Sequence, residues 1–164
     1  MINKKVCMVG ALAVGKTSLI EQYVRSIFSD HYLSTLGVKV SKKECRAGEQ
    51  IIHLVLWDME GGVEYNEVSA SYLRGAMGFF IVADGTRRDT LATALPIRRR
   101  IFDIIGHVPH YLLLNKADLL PAWQVTEDDI TQFERQDLHV MKTSAKTGEG
   151  VESAFTRLTE AMVL

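Results

Sequence analysis

Short β-branched or apolar runs alternate along this chain with stretches in which apolar residues recur every three or four positions. Lys4 to Val9 is strand-like, Lys16 to Ile27 has helical period, two strands follow, and helix and strand then take turns to the end. That alternation predicts an α/β sheet layered by helices. Phe79 to Ala83 and Tyr111 to Leu114 are apolar at every position, as parallel strands covered on both faces must be, and belong at the sheet centre. Val38 to Arg46 and Ile51 to Asp58 instead flank the turn-like Ala47-Gly48-Glu49-Gln50, which predicts an antiparallel hairpin at one edge.

The last helix is the clearest by period. Val151, Ala154, Phe155, Leu158 and Met162 fall at steps of three and four and form one apolar stripe facing the sheet. Between Arg87 and Ile105, Pro96 lacks a backbone donor and should kink the segment or start a second piece. Thr126-Glu127-Asp128-Asp129 offers a capping residue with acids behind it, so a short helix should run from there to about Gln136.

Composition changes this picture little. A chain of 164 residues suits one domain, residues 1–164, with 47% hydrophobic and 24% charged residues and a net charge of -1. Nothing in that balance attracts nucleic acid or membrane strongly. The apolar runs are far shorter than the roughly 20 residues that span a bilayer, and the N-terminus lacks the features of a signal peptide, so a cytoplasmic location is expected. Cys7 and Cys45 are both expected to be reduced, Cys7 as a small buried thiol.

Candidate chemistry begins at Gly10-Ala11-Leu12-Ala13-Val14-Gly15-Lys16-Thr17, which matches G-x-x-x-x-G-K-[ST] between a predicted strand and a predicted helix. Glycines there let successive N–H groups face a phosphate, and the helix start adds its positive end. Lys16 would bridge the terminal phosphates, Thr17 would bind magnesium, and Gly10, Ala13, Val14, Gly15 and Ser18 would line the cradle. The plain alternative is a glycine-rich turn with an exposed lysine. This loop alone specifies a nucleoside triphosphate and not its base. Asn115-Lys116-Ala117-Asp118 fits N-K-x-D, whose aspartate accepts the N1–H and the exocyclic amine of guanine, a donor pair that adenine lacks. Ser144-Ala145-Lys146 would complete the base pocket, with the Ala145 N–H toward the guanine carbonyl.

These motifs, in this order and spacing, resemble a small GTPase of the Ras superfamily, nearest to its Rab and Rho members, over essentially the whole chain. The resemblance implies a P-loop G domain with a six-stranded mixed sheet in the order 2-3-1-4-5-6, one antiparallel edge strand and helices on both faces. It places Trp57-Asp58-Met59-Glu60-Gly61 on the family's W-D-x-x-G segment, with Asp58 holding magnesium through water and the Gly61 amide at the γ-phosphate. Thr35 resembles the switch threonine that binds magnesium in the triphosphate state, and Phe28 the aromatic that leans on guanine, although an apolar anchor at a helix end is an open alternative for Phe28. The implied ligands are GTP or GDP with Mg2+, and the implied protein partners, effectors and regulators, dock on residues 28–38 and 58–72.

Three positions depart from the family. Gly62 stands where a glutamine orients the attacking water, Leu12 replaces a small residue above the γ-phosphate, and Glu60 replaces a small neutral one. Slow hydrolysis follows, unless Glu60, Glu64, Tyr65, Glu67 or a partner's residue positions the water. The chain therefore reads as a guanine-nucleotide molecular switch in signalling or trafficking that hydrolyses GTP slowly, with catalytic roles for Lys16, Thr35, Gly61 and the altered Gly62. The alternative is a GTP-loaded interaction module with vestigial hydrolysis. A P-loop kinase of small substrates is a third class, opposed by both guanine motifs. Arg87, Arg88 and Arg98-Arg99-Arg100 form a basic segment that suits a solvated helix face, or else an acidic partner or anionic membrane. The five histidines have no metal-ligand spacing, and with no cysteine in Ala161-Met162-Val163-Leu164 no intrinsic membrane anchor is expected in this chain: either the protein works in the cytosol, as suits a prokaryotic Ras-like member, or a C-terminal tail has been removed.

Overall fold

The computed structural model describes residues 1–25, 31–33, 38–59 and 69–164. Strands β1 (Ile2–Gly10), β2 (His31–Leu33), β3 (Val38–Ala47), β4 (Gln50–Met59), β5 (Ala76–Asp84), β6 (His110–Asn115) and β7 (Val140–Lys142) make one sheet in the order β2-β3-β4-β1-β5-β6-β7. Helices α1 (Lys16–Val24), α2 (Ala70–Leu73), α3 (Ala94–Ile105), α4 (Glu127–Glu134) and α5 (Val151–Val163) layer it. Leaving out the three-residue β2, the remaining six strands have the expected order. β3 is the antiparallel member, paired with β4 from Val38↔Met59 to Ala47↔Gln50, whereas β1 pairs in parallel with β4 and β5.

The side-chain period of two within each buried strand creates the two-layer core. In β1, Val6 and Met8 face one way with Leu54 and Leu56 of β4 and Phe80 and Val82 of β5, and α1 and α5 cover them through Leu19, Tyr23, Ala154, Phe155 and Leu158. Cys7 and Val9 face the other way with Phe79, Ile81, Leu112 and Leu114, beneath Tyr72 and Leu73 of α2 and Ile97 and Ile101 of α3. The predicted stripe on α5 is thus the packed one. Phe155 stacks on Tyr23 with ring centroids 3.9 Å apart and meets Phe80 edge-on at 4.9 Å, joining both helices to the sheet.

Local chemistry sets several boundaries more tightly than periodicity does. The hairpin strands extend through Ala47 and Gln50, leaving the two-residue loop Gly48-Glu49, and Gly48 takes the positive φ (61°) that favours glycine there. Pro96 starts a second piece: a 3-10 turn at Arg88–Thr93 leads into α3, where Pro96 is the third residue and gives up no internal N–H bond. α4 begins at a capping box in which Thr126 Oγ1 accepts the Asp129 N–H at 3.1 Å and Asp129 Oδ2 accepts the Thr126 N–H at 2.9 Å. α4 ends at Glu134, two residues before the expected limit, and α1 ends at Val24 with Arg25 as its cap. Both thiols are free. Burial pushes the Cys7 thiol up to about 12 despite nearby Lys5 and Tyr72, which keeps it protonated and inert.

Candidate functional site

β1 runs straight into the glycine-containing loop because Gly10 can approach β5 more closely than any other residue could. Its φ is 147°, and a Cβ there would lie 2.3 Å from the carbonyl oxygen of Val82. Ala13 (φ 59°) and Gly15 (φ 103°) are also left-handed, and such residues turn consecutive N–H groups into a concave anion site. α1 starts at Lys16 with no side-chain cap on its first-turn N–H groups, the donors an anion can satisfy.

Lys16 is 7% exposed and its Nζ donates to the carbonyls of Gly10 at 3.1 Å and Ala11 at 2.8 Å. Burial lowers its pKa, and the Asp58 carboxylate pushes the other way. Asp58, buried near the end of β4 beside Met8, accepts a hydrogen bond at Oδ2 from Thr17 Oγ1. A hydroxyl and a carboxylate in contact next to a buried ammonium are the hard-oxygen donor set that Mg2+ takes when it shares its shell with phosphate oxygens, so these residues fit the ion. The pocket they shape has a volume of about 170 Å³ and is lined by Leu12, Ala13, Gly15, Lys16, Thr17, Ser18 and Met59.

A second cleft of about 450 Å³ continues from it through Gly15 and Ser18 to Asn115, Lys116, Asp118, Leu119, Ala145 and Lys146. Asn115 braces the two. Its Nδ2 donates to Val14 O at 3.0 Å, while its Oδ1 accepts from Thr143 Oγ1 and from the Ala145 N–H, each at 3.2 Å. The Ala145 amide, expected to face a guanine carbonyl, is therefore bonded to Asn115. Gly15 makes room for this brace, since a Cβ there would sit 2.2 Å from Asn115 Nδ2. Ser144 Oγ donates to Asp118 Oδ1 at 2.7 Å and accepts the Thr147 N–H at 3.1 Å, which fixes the carboxylate at the cleft wall.

Lys116 takes the left-handed conformation (φ 68°) and points to Asp84, a residue outside every nucleotide motif. Asp84 ends β5 with 1% exposure and accepts from the Thr86 N–H at 2.8 Å, Thr86 Oγ1 at 2.7 Å, Arg87 Nε at 3.0 Å and Lys116 Nζ at 2.8 Å. An acid closing an otherwise wholly apolar strand was the available signal. Burial alone would raise its pKa, but the Lys116, Thr86 and Arg87 donors outweigh burial and hold it at about 2, below the ordinary 3.8. A depressed carboxylate stabilises the fold fully above its unfolded pKa and loses that contribution as pH falls through the folded one. Chemical denaturation at a series of pH values should show stability dropping between about pH 4 and pH 2, and Asp84→Asn should flatten that drop while lowering stability at pH 7.

The basic segment is partly spent inside the molecule: Arg87 pairs with Asp84, and Arg88 pairs with Asp129 at 2.5 Å, whereas Arg99 and Arg100 are exposed. Among the described residues no cluster of histidine, cysteine or acids could hold a metal, and no helix is long and apolar enough to cross a membrane. Phe28, Thr35, Glu60, Gly61, Gly62, Glu64, Tyr65 and Glu67 lie outside the described residues, with most of 28–38 and 58–72.

A sequence profile of the Ras family matches residues 5–164. The Ras-related protein RABA1g of Arabidopsis thaliana is 32% identical over 159 residues, covering 94% of this chain and 72% of its own. Rab-7L1 of Homo sapiens is 33% identical over 167 residues, covering 97% of this chain and 82% of its own. Rab11D of Lotus japonicus is 32% identical over 156 residues, with 94% and 72% covered.

Proposed function

Because this chain belongs to the Ras family of small GTPases, we propose that it is a guanine-nucleotide switch of signalling or trafficking that binds GTP and GDP with Mg2+ and hydrolyses GTP slowly. The observation that carries this reading is the continuity of the phosphate pocket and the Asp118 cleft through Gly15, Ser18 and the Asn115 brace. Loop amides from Ala13 to Ser18 and the Lys16 ammonium receive the phosphates, and Asp118 accepts the guanine donor pair. Thr17 and Asp58 hold Mg2+, joined by Thr35 when a γ-phosphate is present. The bound ion neutralises charge on the terminal phosphate oxygens. Thr35 and the Gly61 amide sense the γ-phosphate, so residues 28–38 and 58–72 present the partner surface. The domain works in the cytoplasm, without nucleic acid.

Slow turnover rests on residue types. Phosphoryl transfer depends on positioning and charge stabilisation, and Gly62 has no side chain with which to hold a water. Leu12 is 62% exposed at the rim of the phosphate pocket, where a branched side chain crowds the approach of any assisting group. Leu12, Glu60 and Gly62 together also favour the second reading, a GTP-loaded module whose hydrolysis is vestigial.

Both readings face one experiment: equilibrium binding of GDP, GTP and ATP with Mg2+, followed by single-turnover GTP hydrolysis. Guanine nucleotides should bind, with ATP weaker by about 10³-fold or more. The natural chain should be nearly inert in hydrolysis, and Gly62→Gln and Leu12→Gly should each gain about tenfold or more. Equal binding of ATP overturns the guanine switch. Rapid hydrolysis unchanged by either variant shows that another group, such as Glu60, Glu64 or Glu67, positions the water.

A further inference from the structure

The carbonyls of the phosphate loop are secured almost one by one. Lys16 takes those of Gly10 and Ala11, Asn115 takes that of Val14, and the Leu19 N–H takes that of Gly15 at 2.9 Å. The Leu12 carbonyl, at the crest, accepts from Arg87 Nη2 at 2.7 Å. Arg87 belongs to none of the nucleotide motifs. Its Nε is bonded to the buried Asp84, whose Oδ2 also accepts from Lys116 of the base motif. One planar guanidinium thus ties the crest to a fixed anion, and that anion ties both to the base-recognition strand.

We propose that Arg87 is a positioning residue that holds the crest of the phosphate loop in its ligand-receiving shape and so slows nucleotide release. This rests on the nucleotide-site reading above. A loop whose carbonyls are drawn outward presents its amides inward, and the loop needs that restraint because Ala13, next to the crest, is a non-glycine residue in the left-handed region. Once phosphates engage Lys16, its ammonium is shared with them. The Arg87 and Asn115 bonds still brace the loop. Lysine cannot replace arginine fully at position 87, because one ammonium lacks the fork that reaches Asp84 and the Leu12 carbonyl together.

The test is the release rate of a fluorescent GDP analogue from the full chain with Mg2+, chased with excess GDP, for the natural protein, Arg87→Ala, Arg87→Lys and Arg88→Ala. Arg88 is the control because it lies next in the chain and is ion-paired to Asp129, and the carbonyl its guanidinium bonds is that of Gln124, outside the phosphate loop. Arg87→Ala should release the analogue roughly tenfold faster, the size of one charge-assisted hydrogen bond, with Arg87→Lys in between and Arg88→Ala unchanged. If Arg87→Ala does not fold, faster release from Arg87→Lys alone supports the same conclusion. Natural rates from the folded Arg87 variants, or equal acceleration by Arg88→Ala, overturn the positioning role and leave the nucleotide site standing. Failure of the natural protein to bind the analogue overturns both.

Discussion

Alanine at position 118 should lower affinity for GDP and GTP by about 10² to 10⁴-fold, because two charge-assisted hydrogen bonds of about 1.5–3 kcal/mol each vanish from one side chain. Discrimination against adenine should go with them. Only the guanine edge presents two adjacent donors to the Asp118 carboxylate, which Ser144 Oγ pins at 2.7 Å against the cleft wall. Little of the loss should come from unfolding, since Asp118 is only half-buried and Ser144 keeps its bond from the Thr147 N–H. Calorimetric titration of GDP, GTP and ATP into Asp118→Ala, beside a thermal melt, checks each part. Undiminished GDP affinity in a folded variant means that Asp118 does not read the base.

The strands and the two nucleotide motifs were legible because each depends on residues close together in the chain. All-apolar runs mark β5 and β6, a stripe at helical spacing marks α5, and the glycine-lysine loop carries its own geometry in Gly10 and Gly15. The side-chain partners across the sheet were less legible, because they depend on which strand ends the topology brings together. Asn115 was singled out for the base, yet its side chain braces Val14, Thr143 and Ala145, contacts set by the adjacency of the β6 end, the loop after β1 and the segment after β7. Asp84 drew no notice and Arg87 read only as part of a basic surface segment for the same reason: their partners Lys116 and Leu12 lie far away in sequence. β2 and α2 escaped because three and four residues are too few to show a period.

Gly10→Ala should be strongly disruptive, lowering stability by about 3 to 5 kcal/mol. Two costs coincide there. The residue has φ 147°, which an L side chain rarely adopts, and its Cβ would sit 2.3 Å from a backbone oxygen of Val82, its register partner in β5. A flexible side chain could swing away, but a carbonyl in the middle of a parallel sheet cannot, so β1 must separate from β5 or the loop must leave the strand at another angle. Either movement shifts the Gly10 and Ala11 carbonyls that hold Lys16, and nucleotide binding should fall along with stability. Gly48→Ala is the mild comparison, because Gly48 has a φ (61°) within the left-handed well that other residues can enter and nothing lies within 4 Å of its added Cβ. That variant should lose only about 1 kcal/mol and keep full affinity. In thermal melts Gly10→Ala should fall by about 10 °C and Gly48→Ala by a few degrees at most. Equal shifts would mean that backbone conformation alone sets the cost, and that the close approach of β1 to β5 does not hold the phosphate loop in place.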